Sequence, residues 1–385
     1  MAAPRSTGRI YLDHCATSPL SAAAAAAMAE CQMAAFGNPS SLHAEGRLAR
    51  RRLEDAREAI AEILGARLEG TQPDRLIFTS GGTEANNLAL WGRSDLVGAG
   101  LAYSPLEHPS VIAAAEALGK RGVAENKLPV GGAGVVDLEP LTSRDAPCVA
   151  ALMLGSHETG VLQPVAEAAR ICRARGGGVH CDAVQAAGKI EIDFRALGVD
   201  TLSVAAHKFH GPRGVGALVV RHGVPLAPLL RGGPQEFELR PGTEAVALAV
   251  GMHRALAEWR DAASAGQDQR AALRDRFEAR LQSANLGIVL HGAGAGRLPH
   301  VSSLAFPGRD RQSLLMALDL AGVACSAGSA CASGSPALSP ALLAMGVPRN
   351  LAQSSLRFSV GLGTTGEQID AAVMRIEQVC RQTAA

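Results

Sequence analysis

No apolar run in this 385-residue chain reaches the roughly 18 residues that a membrane-spanning helix needs. An excess of either charge is also missing. With 37 Lys and Arg against 36 Asp and Glu, the net charge is +1, so bulk electrostatics gives no reason to expect a nucleic acid or an anionic membrane as partner. Cys-x-x-Cys pairs are absent, although there are 8 cysteines, at Cys15, Cys31, Cys148, Cys172, Cys181, Cys325, Cys331 and Cys380. In a chain of this length that usage excludes a disulfide framework and points to a reduced, cytoplasmic protein in which most thiols are small buried hydrophobes. Arg5 and Arg9 ahead of the alanine run Ala22–Ala27 faintly resemble a signal peptide, but Asp13 and His14 interrupt any apolar core. Internal repeats are lacking, and the alanine-rich stretch near residue 25 is the sole low-complexity tract.

What is present is an alternation of strand-like and helix-like segments. Arg75–Thr79, Gly100–Ser104, Cys148–Leu154, Gly178–Cys181, Thr201–Ala206 and Val215–Val220 read as strands, with helical patterns over Glu84–Trp91, Ser110–Leu118 and Pro164–Ala174 between them. This predicts an α/β fold built on a mostly parallel sheet, with ligands at the carboxyl ends of its strands. Gln235–Thr243 is polar and irregular, Glu244–Gln282 reads as helical, and Gly287–His291, Ser302–Phe306, Gln312–Leu320 and Ser355–Val360 suggest a smaller α+β domain. The division expected is a large domain over 16–250, with 1–15 and 251–385 forming the small one.

Lys208 is the most informative residue. It lies in a Gly/Pro-bounded turn between two apolar runs, where burial or neighbouring cations lower the proton affinity of an amine and make it a nucleophile able to hold a carbonyl cofactor as a Schiff base. Asp182, 26 residues upstream, ends another apolar stretch. A lysine to form the imine and a strand-end aspartate to keep a pyridine nitrogen protonated are what pyridoxal phosphate (PLP) requires. Ser80-Gly81-Gly82-Thr83-Glu84 between a strand and a helix offers backbone N–H groups to a phosphate, although a simple capped turn has the same composition. His108 follows a strand and could stack on a pyridine ring and move protons, or be structural. Cys325–Pro336 is a run of small residues unable to build a core, so a cysteine there is accessible or incidental. A Cys325–Cys331 disulfide or metal site would need further ligands at suitable spacing, and the segment offers none. Arg357 in an apolar strand needs an anion, either a substrate carboxylate or a structural partner.

Taken in order, Tyr11-Leu12-Asp13-His14, Phe36-Gly37-Asn38-Pro39-Ser40-Ser41, Phe78-Thr79-Ser80-Gly81-Gly82-Thr83-Glu84, Glu107-His108, His180-Cys181-Asp182-Ala183-Val184-Gln185, His207-Lys208, Arg240-Pro241-Gly242-Thr243, Ser326-Ala327-Gly328-Ser329-Ala330-Cys331 and Leu356-Arg357-Phe358-Ser359 resemble the class V aminotransferase superfamily, and within it the cysteine desulfurases of the NifS/IscS type. The resemblance implies a PLP enzyme of fold type I, a homodimer with active sites near the subunit interface, L-cysteine as substrate, and a sulfur-acceptor protein such as an iron–sulfur scaffold. It implies Lys208 as the Schiff-base lysine, Asp182 on the pyridine nitrogen, Gln185 on the ring hydroxyl and His108 stacked on the ring. Gly82, Thr83 and His207 would hold the phosphate, with Thr243 arriving from the partner subunit. Arg357 would clamp the substrate carboxylate, and Cys331 would be the nucleophile that becomes a persulfide as alanine leaves.

Three departures from the family pattern bear on this. Ser156-His157 stands where two asparagines are usual, so His157 takes a position that helps bind cofactor and substrate; Ala205 replaces a phosphate-binding serine; Cys15 replaces a frequent asparagine. The first two remove hydrogen bonds, and weaker PLP retention or altered specificity is expected. Selenocysteine lyase or another class V activity (aminotransferase or epimerase), and a non-catalytic paralogue acting as a partner protein, are the alternatives weighed against desulfuration.

Overall fold

The computed structural model describes residues 8–93, 95–143, 146–266, 268–328 and 338–382. Its strands, in chain order, are β1 (Ile10–Tyr11), β2 (Arg75–Thr79), β3 (Leu101–Tyr103), β4 (Glu125–Lys127), β5 (Val149–Met153), β6 (Gly178–Asp182), β7 (Thr201–Ala205), β8 (Gly216–Val220), β9 (Val289–Leu290), β10 (Val301–Ala305), β11 (Val323–Ala324) and β12 (Ser355–Ser359). Seven of them form one sheet in the order β2-β8-β7-β6-β5-β3-β4. Every pair from β7 to β4 is parallel, and β8 runs antiparallel to both its neighbours. The expected α/β architecture with a mostly parallel sheet is what forms. Strands β5 to β8 are buried along their whole length, as apolar runs covered on both faces must be.

This topology positions the site. Strands β2, β3, β5, β6 and β7 all point the same way, so the residues that follow them emerge along one edge of the sheet. Helices Gly82–Trp91 and Pro109–Gly119 start directly at that edge. A second core gathers around Leu304, Phe306, Phe358 and Ile376, next to the antiparallel sheet β12-β10-β9. Strand β1 pairs in parallel with β11, and Asp13 bridges to Ser359 at the end of β12. The turn after β1 is thereby fastened to the second core while facing the edge of the large sheet.

Two features differ from the sequence reading. Strand β4 was not anticipated: Glu-Asn-Lys carries no apolar signal, and an edge strand with partly exposed residues needs none. The helical stretch 244–282 is two helices, Val246–Ser264 and Arg270–Ser283, because Gly266 takes φ +68 and turns the chain. The first packs back on helices Ala22–Ala34 and Ala44–Ile63, and the second contributes Leu273, Phe277 and Leu281 to the second core. Among the described residues no helix is long and apolar enough to cross a membrane.

Candidate active site

One cavity of about 250 Å³ opens at the shared strand edge. It is lined by Cys15, Gly82, Thr83, His108, His157, Asp182, Gln185, His207, Lys208 and Arg357, so residues up to 342 positions apart in sequence meet there. Each arrives on a segment whose local form the sequence dictates. Lys208 closes a single 3-10 turn, Ala206–Lys208, that follows β7. Gly81 at φ +156 lets the chain swing from β2 into the helix that begins at Gly82. Pro109 starts its helix in the first helical position, where its missing N–H costs nothing, and His108 caps it.

The Lys208 Nζ donates to the carbonyls of Cys15, at 2.6 Å, and Ala16, at 3.0 Å. Burial lowers the proton affinity of this amine and Arg357 acts in the same direction, while Cys15 and Asp182 oppose them. Gln185 donates to the same Cys15 carbonyl at 2.9 Å and leaves its Oε1 buried and without a partner among the described residues. Asp182 accepts from Asn86 Nδ2 at 2.7 Å on one oxygen and from the Val184 N–H at 2.9 Å on the other. The His207 ring lies 3.2 Å from Thr17 Oγ1, and burial brings its pKa down to about 4, so it is neutral at pH 7.

Arg357 is buried, with its side chain 2% exposed. It donates to the His157 carbonyl at 2.8 Å and to Asp13 Oδ1 at 2.9 Å, and its Nε is buried without a partner among the described residues. Of the two anions open to Arg357 in the sequence, the structure supplies a resident one, Asp13, and leaves an unused N–H beside it. Burial raises the Asp13 pKa, and the Arg357 charge and hydrogen bond hold it back. The His157 ring meets His108 edge to face, with centroids 5.5 Å apart. Burial, reinforced by His108 and Arg357, pushes the His157 pKa well down, so this replacement for an amide is a neutral ring at any physiological pH. Ala205 also lines the cavity, where it offers no hydroxyl.

Two expected residues stand apart. Thr243 is exposed and lines a separate cleft with Leu20, Met28 and Phe36, away from the cavity of its own chain. Cys331 lies outside the described residues. Cys325, on the near side of that segment, is partly buried, and burial together with Asp13 raises its pKa, so it holds its proton. The sequence reading missed Asn86, Ser110 and Asp13. Their signal was faint: two ordinary polar residues at helix starts, and an aspartate in a motif whose partner is 344 positions away.

Comparison with known proteins places this geometry. The family model for aminotransferase class-V matches residues 10–372. Cysteine desulfurase IscS of Dictyoglomus turgidum is 38% identical over 379 residues, covering 96% of this chain and 94% of the relative. A cysteine desulfurase of Cereibacter sphaeroides is 41% identical over 371 residues, covering 94% of this chain and 93% of the relative. Among solved structures, a NifS-like protein from Rickettsia africae superposes with a TM-score of 0.87 at 30% identity, over 96% of this chain and 99% of the other.

Proposed function

The chain belongs to the aminotransferase class-V family, and from that premise we propose that it is a cysteine desulfurase, which takes the sulfur from L-cysteine, leaves L-alanine, and holds the sulfur as a persulfide on Cys331. The observation that carries this reading is the meeting, in one cavity, of a partly buried amine at Lys208, a doubly hydrogen-bonded carboxylate at Asp182 and a buried guanidinium at Arg357.

The family implies PLP, and the cavity fits it. Gln185 Oε1 and Arg357 Nε are buried polar atoms without a partner among the described residues. A Cβ on Gly82 would come within 2.7 Å of Val184 Cγ2, so glycine keeps the mouth of the turn open for a phosphate. Lys208 would carry the cofactor, Asp182 would pair its ring nitrogen, Gln185 its hydroxyl, and His108 and His157 its ring. Gly82, Thr83 and His207 would hold its phosphate. When bound, the group supplies an electron sink for the pair left at the substrate Cα.

The remaining chemistry belongs to the protein. Arg357 binds the substrate carboxylate and orients Cα. The Lys208 amine, its proton affinity lowered by burial, removes the Cα proton. The Cys331 thiolate attacks the substrate sulfur: an S–S bond forms, the C–S bond breaks, and its electron pair stays on Cβ, which takes up a proton; Cα then takes back a proton from the Lys208 ammonium to give alanine.

Further parts of the proposal follow the same reading. The large domain is 16–250, and the small one is 1–15 with 251–385. The active unit is a homodimer in which Thr243 serves the other subunit's phosphate; the exposed Leu20 and Phe36 beside Thr243 support that, being an apolar face suited to a partner. The persulfide passes to an acceptor protein, such as an iron–sulfur scaffold, in the cytoplasm. The test is to incubate the PLP-loaded protein with L-cysteine and a reductant and to quantify alanine and sulfide together. Equal amounts of both, lost in Cys331→Ala, are expected; no alanine despite bound PLP refutes the reading.

A further inference from the structure

Beneath the cavity a line of side chains runs from Thr201 to His108, and its hydrogens have one consistent arrangement. Asp182 has only acceptors to offer in its carboxylate form, so the Asn86 atom 2.7 Å from it is the amide nitrogen. That fixes the amide. Its nitrogen also donates to Ser110 Oγ at 2.9 Å, and its oxygen faces His180 Nε2 at 3.0 Å. His180 is fully buried and neutral, with burial bringing its pKa to about 3. It therefore carries its single proton on Nε2, and its Nδ1 accepts from Thr201 Oγ1 at 2.9 Å. At the other end, Ser110 Oγ has taken a hydrogen from Asn86, and its own hydrogen points to His108 Nδ1, 2.8 Å away. The Ser110 backbone N–H donates to the same Nδ1 at 3.2 Å, as the cap of the helix requires.

We infer that Asn86, Ser110 and His180 are positioning residues that tie the Asp182 carboxylate to the tautomer of His108, holding neutral His108 with its proton on Nε2. Two donors on Nδ1 leave it no room for a hydrogen. His108 then meets whatever stands over its outer edge as an N–H donor, and protonation at Nδ1 first requires the Ser110 hydroxyl to rotate away. Asp182 orients the Asn86 amide, which turns the Ser110 hydroxyl toward Nδ1, and the Ser110 backbone N–H, fixed by the helix cap, donates to the same atom. The aspartate that would pair a cofactor nitrogen thereby acts together with the helix cap, through Asn86 and Ser110, on the edge from which His108 passes a proton. This rests on the reading of the site as a PLP enzyme for its catalytic consequence, but the tautomer itself is independent of turnover.

The first test is neutron diffraction from the deuterated, PLP-loaded enzyme. Deuterium on His108 Nε2 and on His180 Nε2 is expected; deuterium on His108 Nδ1 overturns the inference, whether or not the enzyme desulfurates cysteine. The kinetic test is Ser110→Ala beside Ser110→Thr. Loss of one hydroxyl donor to Nδ1 lowers kcat about 3- to 10-fold, since such a bond contributes about 0.5–1.5 kcal/mol. Because that bond favours neutral His108, its loss moves the acid limb of the kcat profile to higher pH by about 0.4–1 unit. Threonine at 110 restores both. A fall in kcat with an unmoved pH profile, or one that threonine fails to rescue, means that Ser110 only packs, and it overturns the inference.

Discussion

Arg357→Leu removes a guanidinium that does two things at once, and the two separate by pH. In the folded protein Arg357 neutralises Asp13 at 2.9 Å, with the carboxylate side chain only 19% exposed. Removing one partner of such a pair leaves a buried charge and costs about 3 kcal/mol, the low end of the usual range because Asp13 keeps some contact with solvent. The Asp13 pKa is already raised by burial, and without Arg357 it rises further. A carboxyl whose folded pKa exceeds its unfolded value binds a proton more readily when folded. The variant is therefore least destabilised below the ordinary carboxylate range near pH 4, and the deficit grows as pH climbs through the raised pKa. Denaturant unfolding of the PLP-loaded protein at pH 5 and pH 8 reads this directly. Activity behaves differently. The lost charge-assisted bonds to the substrate carboxylate are worth about 3 kcal/mol, so kcat/KM for L-cysteine falls about 100-fold at every pH. Asp13→Asn combined with Arg357→Leu recovers stability at pH 8 and recovers no activity. A single variant that keeps kcat/KM within threefold, or a double variant that regains turnover, refutes the assignment of Arg357 to the substrate.

Lys208→Ala loses the visible absorbance of lysine-bound PLP, and an unchanged spectrum refutes the Schiff-base role. His157→Asn restores an amide at the ring edge; tighter PLP retention, read as slower cofactor loss on dialysis, is expected, with no ionisation disappearing from the pH profile because His157 is already neutral. Gly82→Ala drives a Cβ to within 2.7 Å of Val184 Cγ2, two residues from Asp182. Overpacking of that kind costs about 1–3 kcal/mol and is expected to weaken PLP affinity by about 10-fold or more, measured by cofactor titration of the apoprotein.

The sequence made the strand ends legible because Gly, Pro and charged residues punctuate apolar runs there. Lys208, Asp182 and Gly82 each follow such a run, and a parallel sheet brings them to one edge without further information. The polar residues that hold them were not legible. Asn86 looks like any amide near a helix start, and its three contacts arise only when strand β6 and the start of the Pro109 helix meet it. Arg357 was readable as needing an anion, but its partner depends on where β1 docks, a pairing between residues at opposite ends of the chain. Ala205 and His157 were readable as departures. That His157 stays neutral followed only from its burial.

The pairing of β1 with β11 also sets a clock for biogenesis. The Cys15 and Ala16 carbonyls that receive Lys208 hang on a turn anchored by Val323–Ala324 and Ser359. A ribosome adding about 5–20 residues per second needs roughly 15–60 s to travel from that turn to its anchor. Once β8 completes the large sheet at Val220, about 5–20 s of that interval remains, during which the sheet and its lysine are already synthesised while one wall of their cavity waits for β11. Cofactor capture in the final geometry is consequently a late event, one that follows synthesis of the large sheet and waits for β11 and β12.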